Sequence, residues 1–177
     1  MSKPVIQIEN LNVGFNVRQG MLDVLHGISF DLHRGKTTCV VGESGSGKSV
    51  TARTILNMVP RPGVINGGRI LFNPVGGDTI ELTALDPRGR EIRSIRGGRV
   101  GMIFQEPMSS LSPVHTIGSQ IVEAIRLHRD VPKKEAKQMA VDSLRQVEIP
   151  NPEKAVDRYA FEFSGGMRQR AMIAMAL

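Results

Sequence analysis

The sequence predicts an α/β fold with a mostly parallel core sheet, an antiparallel β subdomain and an α-helical subdomain. Three patterns support this fold class. Apolar residues alternate with period two before residue 33, a glycine-rich loop separates an apolar run from a helix at residues 37–58, and apolar residues recur every fourth position after residue 116. A chain of 177 residues can bury one good core and is short for two, so we expect one globular unit with room for a subdomain.

The N-terminal segment is predicted to be rich in strands. Apolar and polar residues alternate over residues 6–8, the parity shifts near Asn10, and alternation resumes over residues 11–15. Because a shift of one residue turns every side chain to the other face, this pattern indicates two strand pieces separated by a bulge or turn. Residues 28–32 have the pattern of another half-buried strand.

A glycine-rich loop follows the next apolar run. Residues 37–41 (Thr-Thr-Cys-Val-Val) are predicted to form a strand in which Cys39 is a small buried core residue. Residues 42–49 (Gly-Glu-Ser-Gly-Ser-Gly-Lys-Ser) fit the pattern G-x-x-x-x-G-K-S, and a helix is predicted from Val50 to Met58. The alternative is a chance Gly/Ser turn before a helix, but the strand and the helix are the context that this motif requires.

This loop predicts the binding of a nucleoside triphosphate. Glycines allow the backbone to fold tightly around phosphate oxygens, with successive N–H groups directed at the anion in front of a helix N-terminus. Lys48 would place a full positive charge at the β- and γ-phosphates, and the Ser49 hydroxyl would bind Mg²⁺.

More strands are predicted after this helix. Pro60 and Pro62 should end helical geometry, and Gly67-Gly68 opens a strand that continues through residue 72. Gly76-Gly77 followed by residues 79–82 predicts a hairpin. Residues 100–104 (Val-Gly-Met-Ile-Phe) are typical of a buried parallel strand, which would end at Gln105.

The remainder of the chain is predicted to be helical. Apolar residues recur every third or fourth position over residues 117–125 and 136–147, which predicts two amphipathic helices. A final helix is expected to begin after Ser164, whose hydroxyl is a good N-cap, and to continue to Leu177.

Composition narrows the class of protein. The net charge is +6, and five arginines crowd one segment, but only 4% of the residues are aromatic, so a solvated face is favoured over a nucleic-acid site. The five are Arg88, Arg90, Arg93, Arg96 and Arg99. One cysteine excludes an internal disulfide, and the four histidines have no metal-ligand spacing. No apolar run approaches the ~20 residues that span a bilayer, and we expect a cytoplasmic protein.

A second anion-receptive helix end is predicted at residues 163–170 (Phe-Ser-Gly-Gly-Met-Arg-Gln-Arg). Ser-Gly-Gly alone is weak support for a site, but its combination with the 42–49 loop and Gln105 is specific. On these motifs the chain resembles the nucleotide-binding domain of ATP-binding cassette (ABC) transporters, in which they are the signature, the Walker A loop and the Q-loop. With residues 103–111 included, the chain is similar to the ATPase subunits of oligopeptide, dipeptide and nickel importers.

Two positions depart from that family's usual pattern. Ser112 stands where Asn is usual before Pro, and Glu148 stands where Gly is usual after Val147. Neither change touches an expected phosphate contact.

The resemblance implies a P-loop NTPase fold of the ABC type that binds ATP and Mg²⁺. Residues 1–105 would form the core with its antiparallel layer, residues 106–163 the helical subdomain and residues 164–177 the signature helix. Gln105 would hold Mg²⁺ or the attacking water, and Phe15 would stack on adenine. The nucleotide contacts implied in this way are Phe15, Gly42, Glu43, Ser44, Gly45, Ser46, Gly47, Lys48, Ser49, Ser164, Gly165, Gly166, Met167 and Gln169.

The resemblance also implies partners. The signature of one domain would face the γ-phosphate held by a second ABC ATPase domain, which is either identical or homologous. Transmembrane permease subunits would lie near residues 106–111 at the cytoplasmic face of the membrane, and a solute-binding protein would act indirectly. A DNA-associated ABC ATPase is the less favoured alternative, because such proteins carry long insertions between Q-loop and signature, whereas short helices fill this interval here.

Hydrolysis by this family needs further residues. No Asp or Glu follows four consecutive apolar residues, so we find no Walker B segment, no catalytic Glu after it and no switch His. We expect residues 1–177 to be the N-terminal portion of such a subunit, to lack a strand beside the Walker A strand and at most to bind nucleotide. The alternative is a truncated fragment that does not hydrolyse ATP.

Overall fold

A computed structural model describes residues 3–105 and 110–177. The chain divides into two compact units, the first ending at Arg93 and the second running from Ser94 to Leu177. Residues 106–109 lie outside the described residues, so the expectation that they lie near a permease, which comes from the family resemblance, stays a prediction.

The first unit is built on a four-stranded antiparallel sheet with the order β2-β1-β3-β4. Its strands are β1 (Ile6–Val17), β2 (Gly20–Leu32), β3 (Gly63–Phe72) and β4 (Ile80–Glu81). Apolar side chains on one face form its core, which includes Ile8, Leu11, Val13, Leu25 and Ile70. The predicted antiparallel layer is therefore present.

The predicted irregularity near Asn10 is confirmed. The register between β1 and β2 shifts between Ile8 and Leu11, and Asn10 adopts a left-handed φ of 47°. On the neighbouring strand, Gly68 has φ +77°, and a Cβ there would lie 2.2 Å from the Asn10 carbonyl oxygen. Only glycine fits at this position, because the β1 bulge presses directly on its backbone.

The predicted hairpin after residue 76 is also confirmed. Leu71 pairs with Glu81 and Phe72 with Ile80, and the connection turns through Gly76 at a φ of 68°. Strand β3, which leads into this hairpin, begins at Gly63. The sequence pattern places its start later, at Gly67-Gly68.

Helix α1 (Lys48–Ile55) follows the glycine-rich loop, and its buried face carries Thr51 and Thr54. Its predicted end at Met58 is wrong. Asn57 adopts φ 50° and donates its side-chain amide to the carbonyl oxygens of Leu82 and Leu85. A left-handed residue after the last turn ends a helix, and these tertiary hydrogen bonds hold it there.

Two predicted strands, the second of them expected to be parallel, are absent from the described structure. Residues 37–41 and 100–104 are not strands, Cys39 is exposed rather than buried, and Val41 is 91% exposed. A parallel strand needs hydrogen bonds from neighbouring strands. In residues 3–105 and 110–177 no strand pairs with residues 37–41, and residues 100–104 make one bridge, from Val100 to Arg96.

The second unit is helical. Helix α2 (Arg90–Ile95) crosses the boundary, and it is followed by α3 (Ile117–His128), α4 (Lys133–Gln146), α5 (Pro152–Ala155) and α6 (Gly165–Ala176). The apolar faces predicted for residues 117–125 and 136–147 pack together in one core, to which α6 contributes Ala171 and Ala174. Both predicted helices are thus confirmed. Among the described residues, no helix combines the length and apolar character that a membrane span requires.

The unusual Glu148 occupies a left-handed position just after α4. Its φ is 57°, and its carbonyl oxygen accepts a hydrogen bond of 2.9 Å from Nη1 of Arg170 on α6. The backbone shape explains why glycine is usual at this point, since a side chain with a Cβ is strained in this region.

We expect Glu148→Gly to raise the free energy of unfolding by about 0.5–1 kcal/mol, because relief of left-handed strain exceeds the entropy that glycine gains in the unfolded chain. The Arg170 bond survives, since its acceptor is the backbone carbonyl. Urea denaturation measures the change. Glu148→Ala keeps the Cβ and serves as the control; an equal gain in both variants would show that the side chain, not the backbone, is unfavourable.

Candidate functional site

The glycine-rich loop turns into α1 through two left-handed glycines. Gly45 has φ 84° and Gly47 has φ 86°. A Cβ at Gly47 would lie 2.6 Å from Cδ2 of Leu25 on β2, whereas one at Gly45 would meet nothing within 4 Å. Two reasons therefore require glycine at residue 47: the left-handed backbone conformation, and the close contact between the start of α1 and the sheet.

The ammonium group of Lys48 lies within this loop. Its Nζ donates to the carbonyl oxygens of Gly42 at 2.8 Å and Glu43 at 2.5 Å, and lies 3.4 Å from the Ser46 hydroxyl. The helix begins immediately, since the Thr51 N–H bonds the Gly47 carbonyl at 2.8 Å. The positive end of a helix and a full positive charge thus lie in the same loop, which favours the binding of an anion there.

The loop side chains are accessible. Residues 42–46 and Ser49 are exposed, Lys48 is half-buried and Gly47 is buried. Ser49 is thus exposed to solvent in the first turn of α1, directly after Lys48 in the sequence.

Phe15 lies near the same end of the first unit. It pairs with Leu22 of β2 and Gly63 of β3, and its side chain is half-buried. Leu25, which supports Gly47, pairs with Val13 two residues earlier on β1. The β1–β2 hairpin therefore carries both the predicted adenine-stacking ring and the contact that supports the phosphate loop.

The second predicted anion site begins α6 in the second unit. The Ser164 hydroxyl accepts a hydrogen bond of 3.3 Å from the Met167 N–H, which confirms the predicted N-cap. A Cβ at Gly165 or Gly166 would meet nothing within 4 Å, and neither residue has a left-handed φ. The fold of this unit therefore does not require glycine at either position. Ser164 and Gln169 are exposed, whereas Met167 packs against the helical core.

The two arginines of the signature segment hold the backbone of their own unit. Nε of Arg168 donates to the Ala160 carbonyl at 2.7 Å, and Arg170 donates to the Glu148 carbonyl. These contacts fix the turns that lead into and pack beside α6. The sequence pattern alone did not distinguish this role from a direct one at a ligand.

Gln105 lies exposed at a bend that follows residues 100–104 in the second unit. Within this unit, a Cβ at Gly101 would lie 2.9 Å from the Ala176 carbonyl oxygen, so the segment before Gln105 packs against the end of α6. The role of Gln105 toward Mg²⁺ or water stays a prediction.

The arginine-rich segment makes local contacts. Arg93 donates to the carbonyl oxygens of Gly89 and Arg88, and Arg88, Arg90, Arg93 and Arg99 are exposed. Partial burial lowers the pKa of Arg96 from its ordinary value. In the part of the chain that the structure describes, no three His, Cys, Asp or Glu side chains form a metal-binding group.

Sequence reasoning missed the residues that surround Phe15. A Cβ on Gly63 would lie 2.6 Å from Cγ1 of Val59 and 2.8 Å from Cε1 of Phe15. In the sequence, Gly63 follows Pro60-Arg61-Pro62 and is typical of a turn. No signal in the sequence links it to the Phe15 ring on another strand.

Replacement of the two left-handed loop glycines should separate backbone strain from packing. We expect Gly45→Ala to lower the free energy of unfolding by about 1 kcal/mol, from strain alone. Gly47→Ala should lower it by about 2–4 kcal/mol, because the added methyl also overpacks against Leu25. Thermal unfolding of both variants measures the difference; equal losses would show that the Leu25 contact does not hold the turn.

Comparison with known proteins identifies relatives along nearly the whole chain. A family model described as "ABC transporter" matches residues 25–177. The oligopeptide transport ATP-binding protein OppD of Bacillus subtilis (strain 168) is 43% identical over 174 residues, which are 98% of this chain and 47% of that protein. A putative peptide import ATP-binding protein of Brucella abortus (strain 2308) is 44% identical, covering 99% of this chain and 52% of the relative.

A glutathione import ATP-binding protein, GsiA of Shigella flexneri, is 44% identical over 98% of this chain and 28% of its own length. The chain thus spans about half, or less, of the length of the curated relatives it matches.

Solved structures share the fold. The dimeric structure of MJ0796, a bacterial ABC transporter cassette, superimposes with a TM-score of 0.77 at 25% identity, covering 97% of this chain and 68% of that one. A second dimeric structure of MJ0796, in a post-hydrolysis state bound to ADP and Pi, gives 0.78 at 23% identity with the same coverage. The predicted fold class is confirmed, and the chain belongs to the ABC transporter family.

Proposed function

We propose that this chain is the ATP-binding part of a transporter subunit that powers the import of peptides. The observation that carries the proposal is the loop at residues 42–49, where left-handed Gly47 starts α1 and the Lys48 ammonium lies among the loop carbonyls. The identity to peptide import ATP-binding proteins supports the choice of cargo.

The phosphates bind in this loop. The N-terminal N–H groups of α1 and the Lys48 ammonium stabilise the β- and γ-phosphates, and no large side chain of residues 42–46 needs to move, because these residues are exposed. The exposed Ser49 hydroxyl would hold Mg²⁺, which would supply further positive charge to the phosphates. For the exposed Gln105 we keep the role of holding Mg²⁺ or the attacking water.

The adenine ring stacks on Phe15. An aromatic side chain that is half-buried between two strands offers a firmly placed π surface at little cost in side-chain entropy. Its position on the hairpin that also supports Gly47 suits a ligand with phosphates at one end and a base at the other.

The signature contacts a nucleotide held by a second ATPase domain. Gly165 and Gly166 have ordinary backbone conformations and open space around them, so their lack of side chains serves an approaching molecule rather than this unit. Helix α6 presents its positive end there, and Ser164, Met167 and Gln169 complete the surface. The partner domain is a second copy or a homologue.

In the whole transporter, ATP-driven closure of two such domains would be passed to transmembrane permease subunits. The chain would act at the cytoplasmic face of the membrane, and an external solute-binding protein would deliver the peptide. The alternative cargo of the transporter is nickel.

Lys48→Ala tests the phosphate site. Charge-assisted hydrogen bonds of this kind are worth about 1.5–3 kcal/mol, so we expect ATP affinity to fall about ten- to a hundredfold in isothermal titration. The matched control is Lys36→Ala, which removes an exposed lysine before the loop and should leave the affinity unchanged.

The same pair tests transport in the intact protein. Lys48→Ala should abolish uptake of a labelled oligopeptide by cells, and Lys36→Ala should retain it. Nickel uptake that depends on Lys48 without any peptide uptake would contradict the proposed cargo, and unchanged ATP affinity in Lys48→Ala would contradict the proposed site.

Gly166→Leu tests the signature. Because a Cβ at residue 166 would meet nothing within 4 Å and glycine has low helix propensity, we expect the free energy of unfolding not to fall and ATP binding by the chain to be retained. Nucleotide-dependent association with the second ATPase domain should be lost in analytical ultracentrifugation. Unchanged association would show that the N-terminus of α6 does not contribute to the interface.

A further inference from the structure

The ring of Phe15 occupies the space that a side chain on Gly63 would take. The two residues are directly opposite each other in the β1–β3 pair. A Cβ on Gly63 would lie 2.8 Å from Cε1 of Phe15 and 2.6 Å from Cγ1 of Val59. The ring edge and the valine methyl thus border one small gap above the glycine backbone.

Gly63 is not required by its own backbone. Its φ lies outside the left-handed region, in contrast to Gly68 on the same strand. Any residue could adopt this conformation, so the absence of a side chain matters only through the atoms that border the gap.

The surrounding backbone prevents the gap from widening. The Gly63 N–H bonds the Pro60 carbonyl at 2.8 Å, and the Asn16 N–H bonds the Pro62 carbonyl at 3.2 Å. A Cβ at residue 63 would also lie 2.9 Å from the Pro60 oxygen. With both strands held in this way beside Phe15, an added methyl group must displace the Phe15 ring, the Val59 side chain or the Pro60 carbonyl.

We propose that Gly63 is a positioning residue for nucleotide binding, which acts by setting the orientation of the Phe15 ring with Val59 as the opposite wall. The inference rests on the proposed stacking of adenine on Phe15. A ring whose edge is held by a cross-strand glycine is ordered before the base arrives, so binding does not have to restrict its rotamers. The half-buried ring keeps part of its surface accessible to the base.

The test compares ATP with inorganic triphosphate, which has the phosphates and no base. Isothermal titration is performed on the full chain with Phe15→Ala, Gly63→Ala and the double variant. Phe15→Ala should weaken ATP binding about tenfold, the magnitude of a lost base–aromatic stack. Gly63→Ala should weaken it about three- to tenfold, and neither should change the affinity for triphosphate. The double variant should bind ATP no more weakly than Phe15→Ala, because Gly63 acts through the ring.

The matched control is Gly77→Ala, a glycine of the same unit without a left-handed φ, where a Cβ would meet Cγ of Pro74 at 3.2 Å. This variant should change neither the affinity for ATP nor the affinity for inorganic triphosphate. Circular dichroism checks that each variant is folded. If Gly63→Ala does not fold, Val59→Ala replaces it: removal of the opposite wall should weaken ATP binding and leave triphosphate binding unchanged.

The outcomes separate the two proposals. Unchanged ATP affinity in Phe15→Ala overturns the stacking and this inference together. If Phe15→Ala weakens ATP binding while Gly63→Ala, or its substitute Val59→Ala, does not, this inference alone is overturned. A Gly63→Ala variant that loses affinity for ATP and triphosphate equally, or whose effect adds to that of Phe15→Ala, would show that Gly63 supports the fold and not the ring.

Discussion

The contact between Gly47 and the β1–β2 hairpin is the constraint on which the first unit's site depends. Gly47 adopts a left-handed conformation with its Cα against Leu25, and α1 begins at the next residue. This single point sets where the positive end of α1 lies relative to the sheet and where the Lys48 ammonium can reach. The hairpin, in turn, is held in register by the β1 bulge at Asn10, which Gly68 accommodates from the other side. The proposed phosphate site thus relies on the packing of the loop against an antiparallel sheet.

The features that could be predicted from the sequence are local ones. The parity change near Asn10 predicted the bulge because strand alternation depends only on neighbouring residues, and Ser164 predicted the start of α6 because an N-cap acts within one turn. The glycine-rich loop and the helix after it belong to the same class, since their glycines, lysine and first helical turn are adjacent in the chain.

Features that depend on distant partners escaped prediction. The apolar run at residues 37–41 has strand character, but a strand exists only where another strand bonds to it, and in the described residues none does. The sequence pattern placed the end of α1 wrongly because Asn57 is held by the carbonyls of Leu82 and Leu85, which follow β3 and β4 in the chain. Contacts of Phe15 with Gly63, and of Arg168 with Ala160, likewise depend on packing that no sequence period records.

Four glycines of this chain show two different uses of a missing side chain. At Gly47 and Gly68 a Cβ would collide with atoms of the same unit, so their mutation is expected to affect folding first. At Gly165 and Gly166 a Cβ would collide with nothing, and the helix that they begin would tolerate other residues better, because glycine has low helix propensity. A position at which the fold favours a side chain, but the sequence has none, is best explained by a molecule outside the fold that needs the space. Under the proposed function, the open N-terminus of α6 is the surface that a partner contacts, whereas Gly47 before α1 serves the packing of the protein's own sheet.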